Sequence, residues 1–254
     1  MIKNVYYRNV LRRNSFLESQ AKALQSWAVS YPRLLLEVFI RKNFGERYFS
    51  MGQAALMFLF LFIFPMFYTY GEYSIYHSVP IGILWGRYTT WYAFIFAFYY
   101  FAIQRQKEIK VNPSVYDFAK FSLYGGEVNS LFSEFGKKDG KIDWRKVETL
   151  YEPAPFLAAG IVLWLIGQPL GILLTVSALL YTAGYNLAYL EGDHFVMDRI
   201  DERLMNAELT EIFVNDVEPK DAKYVNFRGR KPNDPELRKK VAETFQEEDS
   251  ATVI

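Results

Sequence analysis

The sequence predicts an all-α integral membrane protein with about four transmembrane helices. Three observations predict this fold: long uncharged apolar runs between residues 51 and 190, aromatic residues in or beside those runs, and lysine and arginine gathered in the remaining segments. The mean hydropathy of −0.03 conceals this organisation because polar and apolar residues are segregated into blocks. Aromatic residues make up 18% of the chain, and their rings favour the boundary between hydrocarbon and water.

The first two predicted transmembrane helices form a hairpin. Residues 51–70 carry no charge and have the length of about 20 residues that a hydrocarbon layer about 30 Å thick requires. Pro65 predicts a kink near the far end of this helix because proline lacks a backbone donor. The second helix, residues 81–104, carries Arg87 near its start, where the side chain can reach the interface, and Arg105 follows its end.

A second hairpin is predicted in the uncharged stretch 154–190, which is too long for one crossing. Two glycines and a proline near its middle predict a turn between a third helix over 154–167 and a fourth over 171–190. The third helix is short for a full span. Two alternatives stay open for it: a re-entrant half-helix, or an earlier start within residues 144–152.

Lysine and arginine residues predict the orientation. They are concentrated in residues 1–50 and 105–153, whereas the connections 71–80 and 167–171 contain neither. Cytoplasmic segments of membrane proteins carry an excess of these residues. Four spans place both basic segments and the tail, residues 191–254, on the cytoplasmic side. We therefore expect both termini in the cytoplasm and, since no N-x-Ser/Thr acceptor occurs, a bacterial inner membrane.

The predicted organisation has five parts. They are a cytoplasmic amphipathic helical segment (1–50), a transmembrane hairpin (51–104), a cytoplasmic helical loop (105–153), a second transmembrane hairpin (154–190), and a cytoplasmic helix extension and tail (191–254). In the first part, apolar residues recur every three or four positions up to Leu35 and Val38. This face either lies on an anionic membrane surface or packs against the protein's own loops or a partner. In the tail, Asp234 and Pro235 predict the start of another helix, whose face carries Leu237, Val241 and Phe245.

The candidate metal site is a set of four residues at the start of the tail: Glu191, His194, Asp198 and Asp201. Spacings of three and four residues place all four on one face of a helix. Imidazole together with carboxylates binds zinc, iron or manganese. The alternative is a solvated, ion-paired helix leaving the membrane, because arginine and glutamate residues occupy the same stretch.

Motifs for other chemistry do not occur in the sequence. The chain contains no cysteine, which removes disulfides, thiolate nucleophiles and thiolate metal sites. Neither a phosphate-binding glycine loop nor a nucleophile-elbow serine is present. We therefore expect no enzymatic activity and no cofactor. A formal net charge of +1 indicates no direct binding to nucleic acid.

These observations favour a non-enzymatic multi-pass membrane subunit. Such a subunit anchors or scaffolds a larger assembly, such as a secretion, DNA-transfer or viral apparatus, through its cytoplasmic segments. Its partners are then the lipid bilayer and other proteins or further copies of the chain. The first alternative is an oligomeric channel or small transporter that uses Gln168 and Asn186. The second alternative is a membrane enzyme that uses the four-residue metal face.

Overall fold

The computed structural model is mostly helical, as the sequence predicts. It describes residues 29–73, 81–111, 121–138, 140–218, 221, 223, 225, 227 and 229–250. One compact unit lies within residues 22–188, which we call the larger unit, and a second, the C-terminal unit, includes residues 189–254. Each unit has its own buried apolar cluster.

The described elements follow one another along the chain, and one of them is a single π-helical turn. They are a helix over residues 29–40 (α1), α2 (Met51–Tyr73), α3 (Ile81–Val111), α4 (Ser130–Phe135), strands β1 (Lys137–Lys138) and β2 (Lys141–Ile142), α5 (Trp144–Lys146), a π-helical turn (Val147–Tyr151), α6 (Ala154–Leu165), α7 (Pro169–Val214) and α8 (Pro235–Ser250). The two short strands pair antiparallel around Gly140, whose φ of +78° favours glycine. Within the described residues, this hairpin and an isolated antiparallel bridge between Lys42 and Glu127 depart from an all-α fold.

Two of the described helices are long and apolar enough to cross a membrane: α2 over Met51–Thr69, and α7. The prediction of four spans is therefore confirmed only in part. The predicted second helix corresponds to α3, which continues past residue 104 to Val111. The predicted third helix corresponds to α6, which ends at Leu165 and has 12 residues. The predicted fourth helix and the helical extension after it are one helix of 46 residues.

Pro65 lies inside α2, as predicted, and a neighbouring helix compensates for its missing donor. In a regular helix the N–H of residue 65 would bond to the carbonyl of Leu61. That carbonyl instead accepts a hydrogen bond from the indole Nε1–H of Trp91 on α3, over 2.9 Å. The carbonyl of Pro65 accepts from the Thr69 hydroxyl at 2.6 Å. The contact between α2 and α3 thus satisfies a backbone group that α2 cannot satisfy alone.

The turn between α6 and α7 forms where the glycines predicted it. Gly167 adopts a φ of +83°, a conformation that side chains other than glycine rarely adopt. The two helices then approach closely: a Cβ on Gly171 would lie 2.2 Å from the backbone nitrogen of Trp164, and one on Gly160 would lie 2.7 Å from that of Thr175. Small residues allow this backbone contact between helices.

Helix α1 is buried within the larger unit. Leu35, Leu36 and Val38 have no exposed surface and belong to the same apolar cluster as residues of α3 and α7. The ring of Phe39 packs against Phe94 on α3, with centroids 5.2 Å apart. Of the two alternatives for the N-terminal segment, the described residues agree with packing inside the chain. The predicted apolar face before residue 29 lies outside the described residues.

The C-terminal unit is a small cluster of α7, the segment after it and α8. Its buried residues are Met205, Leu209, Ile212, Phe213, Val225 and Ala242. Asp234 caps α8 and accepts from the Glu236 N–H at 3.0 Å, as predicted. The predicted docking face is confirmed in part: Val241 packs against this cluster beside the buried Ala242, whereas Leu237 is 48% exposed. Hydrogen bonds from Arg238 and Lys231 hold Asp216 and lower the pKa of its carboxyl group.

Candidate functional site

Polar side chains from three elements meet inside the larger unit. Each element presents them four residues apart, the spacing that aligns side chains on one face of a helix. The set comprises Arg33, Glu37 and Arg41 from α1 and its end, Glu148 and Glu152 from the π-helical turn and its end, Tyr181 and Tyr185 from α7, and Tyr48 from the loop before α2. We call these eight residues the Arg–Glu–Tyr cluster.

The Arg41–Glu152 pair is the most deeply buried part of this cluster. The side chain of Arg41 is 3% exposed and that of Glu152 is not exposed at all. Arg41 donates from Nε to one carboxylate oxygen at 3.0 Å and from Nη2 to the other at 2.5 Å. The same Nη2 lies 3.0 Å from Glu148, and the hydroxyl of Tyr181 donates to Glu152 at 2.6 Å. The pair thereby joins α1, the π-helical turn and α7.

Glu37 is the second centre of the cluster. The hydroxyls of Tyr48 and Tyr185 donate to its carboxylate at 2.8 and 2.7 Å. Arg33, one helical turn earlier on α1, lies 3.1 Å from it. Arg33 also donates from Nη2 to the Tyr48 oxygen at 2.8 Å. Burial and the Glu37 charge raise the pKa of Tyr48, so this hydroxyl keeps the proton that it donates.

Cation–π contacts complete the packing of the arginines. The guanidinium of Arg41 lies 4.7 Å from the ring centroid of Tyr185, and that of Arg33 lies 5.1 Å from the same centroid. The rings of Tyr181 and Tyr185 are 4.9 Å apart. A desolvated guanidinium over an aromatic face gains about 2 kcal/mol, which offsets part of the cost of burying the charge.

A cavity of about 650 Å³ opens beside the cluster. Its lining consists of Arg33, Arg41, Tyr48, Tyr124, Gly125, Gly126, Glu127, Val128, Trp144, Glu148 and Tyr185. A Cβ on Gly125 would lie 3.5 Å from the Tyr48 ring, so the loop passes close to the cluster. Aromatic rings, two paired arginines and two carboxylates thus line the same cavity.

The charged groups of the Arg–Glu–Tyr cluster are satisfied by one another. Burial raises the pKa of Glu152, and the hydrogen bonds from Arg41 oppose that shift. Among the described residues, every buried side-chain nitrogen or oxygen has a hydrogen-bond partner. The cluster therefore has the properties of a structural ion-pair network that holds α1, the π-helical turn and α7 together. Removing one member would leave another charge buried without its partner.

The residues of the predicted metal site lie elsewhere, on the part of α7 within the C-terminal unit. Glu191, His194 and Asp201 are exposed, and Asp198 is half-buried. In the part of the chain that the structure describes, no three histidine, cysteine, aspartate or glutamate side chains are placed to hold a metal ion. The metal site gains no support from the geometry and stays a prediction.

The Arg–Glu–Tyr cluster was not among the predicted sites, although the sequence contains a signal for it. Arg33, Glu37 and Arg41 stand four apart, as do the pairs Glu148 and Glu152, and Tyr181 and Tyr185. Charged residues repeating every four positions within an apolar helix indicate a buried polar face. The sequence alone did not show that these three faces meet.

Comparison of the chain with protein-family models, with curated protein sequences and with solved structures finds no match.

Proposed function

We propose that the protein is a non-enzymatic multi-pass membrane subunit that anchors or scaffolds a larger assembly, such as a secretion, DNA-transfer or viral apparatus. In this proposal α2, α3, α6 and α7 up to about residue 190 are the four membrane segments. Lipid surrounds these segments, and protein partners or further copies of the chain bind to the segments outside the membrane.

The observation that carries the membrane part is the exposure of α2. Leu56, Phe60 and Phe67 are 65%, 67% and 73% exposed, and only 17% of the most apolar window of α2 is buried. A core helix of a soluble protein would bury most of such a window. Soluble monomers rarely expose large contiguous apolar surfaces. A lipid environment removes the cost of this exposure because lipid tails are as apolar as these side chains.

Helix α6 contributes a second apolar surface, with Leu165 81% exposed and Trp164 58% exposed. Its 12 residues measure about 18 Å, which is less than the hydrocarbon thickness of about 30 Å. Together with α5 and the π-helical turn, the helical run from Trp144 to Leu165 measures about 33 Å. We therefore propose that α6 crosses the hydrocarbon as the continuation of this run, whose first part, α5 and the π-helical turn, lies at the level of the head groups. This arrangement favours the earlier start over a re-entrant half-helix.

The orientation follows from the basic residues. Lysine and arginine occur on the N-terminal side of α2 and between α3 and α6, and are absent from the connection between α6 and α7. The positive-inside rule places the basic segments and both termini in the cytoplasm. We propose a bacterial inner membrane, and the lack of an N-x-Ser/Thr acceptor in the sequence is compatible with it.

The polar groups of the membrane segments support a structural role over a pore. The Thr90 hydroxyl on α3 donates to the side chain of Gln168 at 2.8 Å, which fixes the α6–α7 turn against α3. Asn186 donates to the Thr182 carbonyl of its own helix at 3.0 Å. The two residues that would best line a channel thus make contacts within the chain. The charged side chains of the Arg–Glu–Tyr cluster are likewise paired with one another, which supports a structural role for the cluster over a catalytic one.

Purification in a mild detergent tests the scaffold proposal. We expect the full chain to copurify with protein partners from its native membrane, or to be oligomeric by light scattering. A monomer that retains no partner would contradict the proposal.

Single cysteines test the topology, because the native chain has none. We expect Leu165→Cys to react with a membrane-impermeant maleimide in intact cells, and Lys141→Cys to react only after the membrane is opened. Reaction of both positions from the same side would contradict the four-span arrangement.

A further inference from the structure

We propose that residues 130–151, comprising α4, the β1–β2 hairpin, α5 and the π-helical turn, form an interfacial foot that binds anionic lipid head groups. This inference rests on the membrane insertion proposed above. It adds a lipid-binding surface outside the transmembrane segments and names the chemistry of its ligand.

The apolar part of the interfacial foot is the exposed face of α4. Leu131 and Phe135 are 62% and 70% exposed, and their spacing of four residues places them on the same side of the helix. Phe132 points elsewhere and packs against the apolar cluster of the larger unit. The helix is therefore fixed in the structure by one aromatic residue while two large apolar side chains remain uncovered.

The basic part of the interfacial foot is the segment directly after α4. The whole foot, residues 130–151, contains five basic and four acidic residues, and its positive charge is concentrated in residues 137–146. That part holds all five basic residues and two of the acidic ones: Lys137, Lys138, Lys141, Arg145 and Lys146 against Asp139 and Asp143. The lysines at 137 and 141 are exposed. Apolar side chains bordered by lysine and arginine are typical of segments that lie in the head-group region of an anionic membrane.

The position of the foot favours lipid over a protein partner. The ring of Phe135 lies 6.3 Å from that of Tyr151, at the end of the π-helical turn. Leu150, beside Tyr151, is 57% exposed and stands four residues before the start of α6. The uncovered apolar side chains of α4 are thus connected to the beginning of a proposed membrane segment. At the start of a membrane segment, an anionic leaflet supplies hydrocarbon for the apolar side chains of α4 and negative charge for the lysines after it.

Spin labels on single cysteines test this inference, because an introduced cysteine is the only labelling position in the chain. The full chain carrying Leu131→Cys or Phe135→Cys is reconstituted in vesicles of phosphatidylcholine with or without phosphatidylglycerol. Collision of the label with oxygen, which partitions into lipid, is compared with collision with a water-soluble nickel chelate. We expect both labels to favour oxygen in the anionic vesicles and to lose this preference in phosphatidylcholine alone.

Matched charge variants separate lipid attraction from general effects. In the Phe135→Cys background, Lys137→Gln with Lys141→Gln is expected to abolish the preference for oxygen. Lys107→Gln with Lys110→Gln removes the same charge from the end of α3 and is expected to leave the preference unchanged. Equal effects of the two pairs would overturn the inference.

A label at Phe60→Cys reports on membrane insertion itself. If this label favours oxygen while the labels on α4 favour nickel, the interfacial foot is wrong and the membrane proposal stands. If all three labels favour nickel in folded protein, the membrane proposal fails. Labels on α4 that are shielded from both reagents would indicate a protein interface and would also overturn the inference.

Discussion

Replacing Trp91 by phenylalanine tests how the helix around Pro65 is stabilised. The Trp91 indole donates over 2.9 Å to the Leu61 carbonyl, which has no donor from its own helix because Pro65 lacks an N–H. Trp91 is 4% exposed, so water does not replace the lost bond readily. We expect Trp91→Phe to lower the free energy of unfolding by about 1–3 kcal/mol, the cost of leaving a buried acceptor unpaired.

A second variant separates the hydrogen bond from the packing of the ring. Pro65→Ala supplies a backbone N–H to the Leu61 carbonyl, so the indole donor is no longer needed. In that background we expect Trp91→Phe to cost only lost packing. The coupling energy between the two positions should then be about 1 kcal/mol, since interhelical hydrogen bonds in a membrane protein average about 0.6 kcal/mol and reach about 1.7 kcal/mol.

The assay is reversible unfolding of the full chain in mixed micelles, followed by far-ultraviolet circular dichroism, whose signal comes mainly from the helices. Phe64→Leu serves as the packing control because its ring stacks on that of Trp91 at 5.7 Å without a hydrogen bond. We expect this control to cost the same with proline or alanine at position 65. If Trp91→Phe also costs the same in both backgrounds, the proposed role of the indole donor is refuted.

Three further predictions concern other parts of the chain. Glu152→Gln should destabilise the larger unit by up to about 3–5 kcal/mol because Arg41 stays buried with Glu148 as its remaining carboxylate partner. Replacing both Arg41 and Glu152 by apolar residues should recover most of this loss, and simple additivity of the two single replacements in unfolding measurements would contradict the ion-pair explanation. Gly171→Ala should destabilise the chain because its Cβ would lie 2.2 Å from a backbone nitrogen of α6. Gly192→Ala, which has open space around it, should instead raise the free energy of unfolding by up to about 1 kcal/mol. Equal effects of the two replacements on unfolding would contradict the close contact at Gly171. The pKa of Asp216 is lowered in the fold, so the stability that its carboxylate contributes is complete above the ordinary pKa of 3.8 and is lost as the pH falls through the lowered pKa. Hydrogen exchange of the α8 amides should therefore become faster in that acidic range. Unchanged exchange of these amides in Asp216→Asn at neutral pH would contradict the proposed role of Asp216.

Local sequence patterns were sufficient to predict α2, the start of α8 and the turn before α7. Each depends on interactions within a few residues: an uncharged apolar run, an aspartate–proline pair at a helix start, and glycine at a position with positive φ such as Gly167. The same patterns predicted the start of α6 at residue 154 and its end to within two residues of Leu165. They did not predict that the residues directly before it form a π-helical turn, Val147–Tyr151.

The Arg–Glu–Tyr cluster could not be predicted for a related reason. The sequence pattern predicts only that Arg41 lies in a basic cytoplasmic segment, residues 1–50, and that Glu152 lies near the end of a cytoplasmic loop, residues 105–153. Their pairing depends on α1 entering the apolar interior beside α3 and α7. The four-residue spacing in α1 indicated a polar face, but what that face meets is a property of the tertiary structure.

The position of α1 in the interior also has a consequence for synthesis. Arg41 bonds to a residue 111 positions later, and Glu37 bonds to Tyr185, 148 positions later. Translation must therefore produce nearly the whole of the larger unit before the first described helix finds its partners. Until then Arg41 lacks the Glu152 carboxylate, and Glu37 lacks the hydrogen bond from the Tyr185 hydroxyl. Closure of the N-terminal segment onto the finished bundle is thus a late event in biogenesis, and a chain truncated before α7 cannot complete it.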